Sequence, residues 1–315
     1  MKPSLKVLIA LSVGLLMISC ATQAPAPKAE GPVPPSVSPE PSYFLNSSEY
    51  KLLLNPEMFG DYKQGFAQYW DIIKTVAADQ GIEIIKSEKP LKLGHKEVSF
   101  FDTKDLELRQ NNFLLRQKVK YKGEHKNPGV EYGVKYRQTN PEKTMALDLS
   151  MAEGYTPKYD RIELESDIVY YSVKNGDHET TYAVSNSIQL ENQPEMKLAE
   201  FIKIYPVLGN LGIDPESKLN LVADMAADEW MVKPGKLDFG GGLHGRMDMT
   251  VWILQTEMGE IRIPEFSFDH DFLPNAHWDA AAMEKCTGFI EELYKYQPEW
   301  VVPGTLKAAA LFKFK

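Results

Sequence analysis

Phe100-Phe101-Asp102-Thr103-Lys104-Asp105-Leu106-Glu107-Leu108 and, a few residues on, Asn112-Phe113-Leu114-Leu115-Arg116-Gln117-Lys118 spell out a strand, a turn and a second strand. Val98, Phe100 and Phe101 have the apolar, aromatic character of a strand end. Asp102 and Thr103 carry short side chains that bond nearby backbone groups, so the strand stops there and a turn or short helix begins. From Phe113 a new strand puts Arg116, Lys118 and Lys120 on one face and Leu115, Val119 and Tyr121 on the other, because side chains alternate. Three cations on one strand face do not belong in an apolar core.

The succession Phe101-Asp102-Thr103-Lys104-Asp105-Leu106, then Leu115-Arg116-Gln117-Lys118, resembles the CYTH or triphosphate tunnel metalloenzyme superfamily and its polyphosphate-polymerase relatives. The resemblance implies an α+β fold: an eight-stranded, mostly antiparallel, tunnel-type β-barrel wrapped by helices. It implies an opening strand of pattern E-x-E-x-K, whose acids hold a divalent metal and whose Lys reaches phosphate. The matching positions are Ser47, Glu49 and Lys51, so Ser replaces the first acid. Near the end of the chain the family often places a pair of acids on a strand lining the site. Here Glu265, Ser267 and Asp269 share a face, and Ser267 stands where an acid is expected. Thr305-Leu306-Lys307 resembles a closing segment whose Lys often reaches the ligand.

Several more strands alternate in the same way. Lys135 and Arg137 oppose Val134 and Tyr136, and Arg161, Glu163, Glu165 and Asp167 oppose Ile162, Leu164 and Ile168. Strands are expected at 82–85, 97–101, 229–233, 245–254 and 260–268. A hairpin at Asn175-Gly176 lies in 168–195, a region given no chemistry. Helices are expected at 56–79 after an Asn55-Pro56-Glu57 cap, at 195–208, at 215–227 after Asp214-Pro215-Glu216, and at 276–296 with Met283, Cys286, Ile290 and Leu293 inward. Gly240-Gly241-Gly242 joins two strands and is no phosphate loop, since no Gly-Lys-Ser/Thr follows.

Closing such strands with their apolar faces outward, under helices, gives a polar lumen. Lys51, Arg116, Lys118, Lys135, Arg137 and Arg161 converge there as the expected phosphate-binding set. Glu49, Glu163, Glu165 and Glu265 either neutralise them, giving a structural network, or hold Mg2+ or Mn2+, hard cations that prefer oxygen ligands. The expected partner is a phosphate-rich small molecule or polyphosphate. Two functions stay open: a metal-dependent hydrolase of inorganic polyphosphate or organic triphosphate, and a non-catalytic envelope lipoprotein with a degenerate anion site. Asp269-His270-Asp271 with His277 and Asp279 matches no zinc spacing and reads as a polar loop and a helix cap. No Ser-His-Asp or Cys-based nucleophile motif is apparent.

Lys2 and Lys6, an apolar run from Val7 to Ile18 and then Ser19-Cys20 form a secretory signal over residues 1–19, too short to span a membrane. Met17-Ile18-Ser19-Cys20 resembles a bacterial lipobox, which implies lipidation at Cys20 with acyl chains such as palmitate. Ala21 in the next position implies an outer-membrane anchor in the cell envelope. Residues 20–42 are Pro-rich, from Pro25 to Pro41, and read as an extended tether. Residues 43–315 are the expected CYTH-like tunnel domain. The net charge of −9 argues against nucleic acid as a partner, so the cations of an anion site must be concentrated locally.

Overall fold

The computed structural model describes residues 45–159, 162–172, 177–272, 278–302, 304 and 306–314. In chain order the strands are β1 Ser47–Leu53, β2 Glu83–Lys86, β3 Gly94–Asp102, β4 Phe113–Lys122, β5 His125–Lys126, β6 Val130–Gln138, β7 Glu163–Ser172, β8 Asp177–Leu190, β9 Asn220–Leu221, β10 Ala227–Gly240, β11 Leu243–Thr256 and β12 Gly259–Asp271. Hydrogen bonding runs β10-β11-β12-β1-β7-β8-β6-β4-β3, and β3 pairs back onto β10 to close the barrel. Nine strands form the ring, with β2, β5 and β9 outside it. Eight were expected; in and around the stretch where a hairpin was expected, β7 and β8 pair antiparallel and both belong to the ring. Every pairing in the ring is antiparallel except that of β1 with β7.

The turn that opened the sequence reading is built as its residues dictate. The Asp102 carboxylate accepts from the backbone N–H groups of Thr103 at 2.7 Å, Leu108 at 2.9 Å and Arg109 at 2.9 Å. It thereby caps the short helix α2, Glu107–Gln110, although it lies five residues ahead of it in the chain. Asn112 takes φ 65°, the left-handed region that Asn tolerates, and reverses the chain into β4.

The helix α1 spans Tyr62–Asp79, not 56–79. Pro56–Phe59 is a separate 3-10 turn, because Asp61 supplies a second cap at Lys63 and Gln64 and restarts the helix. Gly65 lets the two pieces touch, since a Cβ there would sit 2.7 Å from a Phe59 ring carbon. No helix forms over 215–227: Asp214 caps a turn at Glu216, and the chain then enters β9 and a 3-10 turn at Val222–Asp224. Residues 195–208 give a helix only at Leu198–Ile204, followed by a 3-10 segment at Pro206–Leu211. The helix Ala280–Tyr296 starts at an Asp279 cap and buries Cys286, Ile290 and Leu293, while Met283 is only partly covered.

These helices cover the outside of the barrel. Tyr62–Asp79 and Ala280–Tyr296 pack on β1 and β10–β12 around Phe66, Trp70, Phe266, Phe268 and Phe289. Leu198–Ile204 covers β4, β6 and β8 around Tyr132, Phe201 and Tyr205. Positive φ at Gly240, Gly241 and Gly242 makes the β10–β11 reversal, as a hairpin connection requires. Asn175-Gly176 lies outside the described residues, but β7 and β8 do pair antiparallel.

The lumen is not polar throughout. At the end where β3 finishes and β4 begins, Val98, Phe100, Leu114, Trp252, Leu254 and Ile263 cluster with Leu311. The strand residues among these share the lumen-facing parity of the charged ones, so the same alternation fills one end with apolar side chains and the other with charge.

Candidate functional site

Every ring strand except β8, which offers Ser185 and Ser187, sends a charged side chain into one cavity of about 380 Å3. Among the described residues its lining holds eight cations, Lys51, Lys96, Arg116, Lys118, Lys135, Arg137, Arg246 and Lys307. It also holds eight acids, Glu49, Glu163, Glu165, Glu229, Asp248, Glu265, Asp269 and Asp271. The charges balance overall, so what matters is where they fail to pair.

The parallel register of β1 with β7 sets Glu49 beside Asp167 and Ser47 beside Glu165. Asp167 is fully buried and is held by Lys51, by Arg137 at 2.5 Å and, more loosely, by Lys135 at 3.6 Å. Lys51 also lies 2.7 Å from Glu49, and Lys135 pairs with Glu165. Burial opposes ionisation of Asp167, yet Arg137, Lys135 and Lys51 outweigh it and hold the carboxyl far below its usual range. Burial likewise pulls Lys51 down, and Asp167 and Glu49 more than reverse it. Lys135 is left lower than an ordinary lysine, first by burial and then by the Arg137 charge beside it.

On the β11–β12 side, Arg246 pairs with both Asp269 and Asp271, which belong to a strand and not to the expected loop. Burial raises Asp269 to about 6 against the Arg246 charge, and burial also raises Asp248. Glu265 sits apart from these acids, 3.0 Å from Lys307, which also reaches Thr250. Glu229 pairs with Lys96 at 2.7 Å and accepts the Trp252 indole N–H at 2.6 Å. Burial opposes its ionisation, but Lys96 and Lys307 bring it to about 2.

The β4–β6 wall is different. Glu131 alone faces Lys118 at 3.2 Å and Lys158, whose ammonium also pairs with it. Those two lysines overcome burial and lower Glu131 to about 2. One carboxylate cannot neutralise two lysines and the nearby Arg116. Burial, and next the Arg116 charge, push Lys118 down to about 7. Arg116 lines the cavity with no hydrogen bond or ion pair to any described residue, the one lining cation of which that is true. Beside it on β6, Gly133 lets Ser187 approach closely, since a Cβ there would lie 2.8 Å from Ser187 Oγ.

Of the residues expected from sequence, Lys51, Arg116, Lys118, Lys135, Arg137, Glu49, Glu163, Glu165 and Glu265 all reach this cavity. Arg161 and Cys20 lie outside the described residues. The expected acid set is regrouped: oxygens of Glu49, Glu165 and Asp167 come within 4.8 Å of one another, while Glu265 joins Lys307 instead. Lys96, Glu229, Arg246 and Asp248 were not singled out, and Asp271 was read as part of a polar loop. The available signal was the alternation Arg246-Met247-Asp248-Met249-Thr250, the same pattern that exposed Lys135. His270, on the opposite face, is buried, and Asp279 is the helix cap expected of it.

The donor chemistry of Glu49, Glu165 and Asp167 suits a hard divalent cation, since all three offer carboxylate oxygen. Lys51, Lys135 and Arg137 compete for the same oxygens.

No protein-family profile and no curated protein sequence matches the chain. Solved structures do. A Hippeastrum protein described as an adenylyl cyclase candidate with a dominant triphosphatase activity is 10% identical, with a TM-score of 0.42 over 85% of this chain and 95% of its own. A Bacillus halodurans protein described as an adenylate cyclase candidate is 13% identical, with a TM-score of 0.37 over 85% of this chain and 100% of its own. A Pyrococcus horikoshii protein is 10% identical, with a TM-score of 0.33 over 85% and 99%. Two of these three solved structures are thus described as adenylyl or adenylate cyclase candidates, and one of those two with a dominant triphosphatase activity.

Proposed function

We propose that the tunnel binds a phosphate-rich anion, an inorganic polyphosphate or an organic triphosphate, on the wall formed by Arg116 and Lys118. The observation that carries this reading is Arg116, which pairs with no described residue, lining the cavity beside a lysine whose own charge is already destabilised. A confined surplus of positive charge is relieved by an anion, and phosphate oxygens accept from guanidinium and ammonium together. Lys135 and Arg137 lie farther along the same wall, where a longer anion meets them.

The enzymatic form of this reading is metal-dependent phosphohydrolysis. Mg2+ or Mn2+ held by Glu49, Glu165 and Asp167 would neutralise charge on the transferred phosphoryl group. Arg116 and Lys118 would hold the phosphate oxygens in place, and the buried walls would exclude bulk water around them. A non-catalytic anion-binding role is the second reading. It is favoured by the cations already engaged with those three acids and by Ser47 and Ser267 in place of acids. Phosphate release from tripolyphosphate with Mg2+ or Mn2+ separates the two. Release abolished by Glu165→Gln establishes the hydrolase, whereas binding without release leaves the anion-binding role. No saturable binding of tripolyphosphate or sulfate refutes both.

We propose further that this site is held in a bacterial envelope at the outer membrane by lipid on Cys20; the lipobox-like Met17–Cys20 and the Pro-rich stretch after it support that reading. Detergent partitioning of the full chain, lost on Cys20→Ser, tests that placement; partitioning unaffected by the substitution rules it out.

A further inference from the structure

Where β4 begins, a second cavity of about 650 Å3 lies against the tunnel, and Leu114, Arg137, Leu306 and Ala308 line both. Its floor is apolar: Leu114 and Val169 are buried strand residues, and Leu306, Ala308 and Ala309 come from the short helix Lys307–Leu311 and the residue before it. Its rim is polar, with Arg109, Thr139 and Glu179 exposed. Arg109 forms no ion pair among the described residues and lies 5.0 Å over the Phe312 ring. Arg137 donates through Nη2 to Asp167 on the tunnel side, and its Nε is buried with no hydrogen-bond partner among the described residues. The Thr181 hydroxyl, in the same lining, is likewise buried without a partner. Burial, and next the Arg137 charge, pull Arg109 below its usual value; Asp102, which offsets them, is itself taken up by three backbone N–H groups. Glu179 is the one acid among the described lining residues, so two guanidinium groups face a single exposed carboxylate.

From these donors and this floor we infer a second ligand site, distinct from the Arg116 wall, for a small organic monocarboxylate. Its carboxylate lies between Arg109 and Arg137, and its hydrocarbon body covers Leu114, Val169 and Leu306. The planar fork of a guanidinium matches the two oxygens of a carboxylate. One surplus positive charge is balanced by a monoanion, whereas a polyanion would bring uncompensated charge onto the apolar floor. An inorganic anion fits no better, because it has no body to displace water from Val169 and Leu306. A largely apolar cavity with a few convergent polar groups is the usual form of a small-molecule site. The site asks nothing of Arg116, so it stands or falls apart from the tunnel's own ligand.

Calorimetric titration of the full chain with butyrate, hexanoate, hexanamide and sulfate tests the inference. Hexanoate should bind saturably and about ten-fold more tightly than butyrate, since each buried methylene adds about three- to four-fold. Hexanamide, which keeps the body and loses the charge, should not bind. Arg109→Gln should weaken hexanoate about ten-fold. Ala309→Glu, which places a carboxylate in the cavity from within, should abolish hexanoate binding, while Ala309→Gln retains it. Arg109 is exposed and Ala309 partly so, and neither change opens the core. Arg116→Ala should leave hexanoate untouched. The inference is overturned if hexanoate shows no saturable binding, or if either Arg109→Gln or Ala309→Glu binds it as wild type does. Hexanamide binding as tightly as hexanoate would mark a plain apolar hole, and displacement of hexanoate by an equal concentration of sulfate would mark a plain anion site; each refutes the class of ligand. Loss of hexanoate in Arg116→Ala would put the ligand in the tunnel and refute the second site.

Discussion

Replacing Arg116 by Ala separates binding from stability more sharply than any other single change in the tunnel. Arg116 pairs with no carboxylate among the described residues, its charge is a lesser cause of the lowering of Glu131, and it helps push Lys118 down to about 7, so the free protein loses little by its removal. Its apparent melting temperature should stay level or rise slightly. Anion binding should suffer, because a charge-assisted hydrogen bond in a partly desolvated site is worth roughly 1.5–3 kcal/mol, or about ten- to one-hundred-fold in affinity. Lys135→Ala supplies the contrast. It strips Glu165 of its partner and leaves fully buried Asp167 with one cation fewer, the kind of loss that costs about 3–5 kcal/mol. A drop in melting temperature of about 10 °C follows for a chain of this size. Thermal melts with and without sulfate and tripolyphosphate at neutral pH read both quantities. If the free Arg116→Ala protein melts as early as Lys135→Ala, or if it binds sulfate as well as wild type, the assignment of a surplus charge to Arg116 is refuted.

Four further outcomes are expected. Sulfate, which does not titrate near neutrality, should bind more tightly as pH falls from 8 to 6, because Lys118 gains its proton near pH 7; a slope that persists in Lys118→Met would exclude that lysine. Without ligand, the unfolded chain holds a proton on Lys118 between about 7 and the ordinary 10.5, so this residue's contribution to stability grows as pH rises through that window, as wild type and Lys118→Met melts should show. Glu131 and Glu229 act in acid: both are lowered to about 2, so the stability they lend is complete above the ordinary carboxylate value of 4.5 and fades as pH falls toward 2, and acid unfolding that ignores Glu131→Gln and Glu229→Gln would contradict the pairing. Asp102→Ala removes three backbone bonds at the β3–α2 turn and should cost about 2 kcal/mol in denaturant unfolding, whereas a neutral result would mean the turn holds without its cap.

Alternation was enough to read the lumen face of β1, β4, β6 and β7, because each carries charges at every second position against buried apolar neighbours. It was not enough for the mixed strands. On β3, Lys96 shares its face with Val98 and Phe100, and on β11, Asp248 shares its face with Trp252, so a single strand passes from the charged end of the lumen to the apolar one. A rule that asks for uniform faces misses both. The regrouping of the acids was hidden for another reason: Glu49 meets Asp167 only through the parallel register of β1 with β7, and register between strands distant in sequence leaves no local trace. Asp214-Pro215-Glu216 misled because a capping residue and a proline start a turn as readily as a helix, and no apolar period followed to choose between them.

The first strand finds both of its partners far along the chain. β1 lies between β12 and β7, and the pair Lys51–Asp167 joins residues 116 positions apart. Such distant joints close slowly, since chain entropy must be spent before any contact repays it. Until β1 docks, the other eight strands form an open curved sheet with β7 and β12 as bare edges, and Asp167 waits without Lys51. The gap has the width of one strand and a charge pattern that only Glu49 and Lys51 complement. A first strand from a neighbouring molecule carries the same two residues, so strand exchange between copies is the folding error to which this ring is most open.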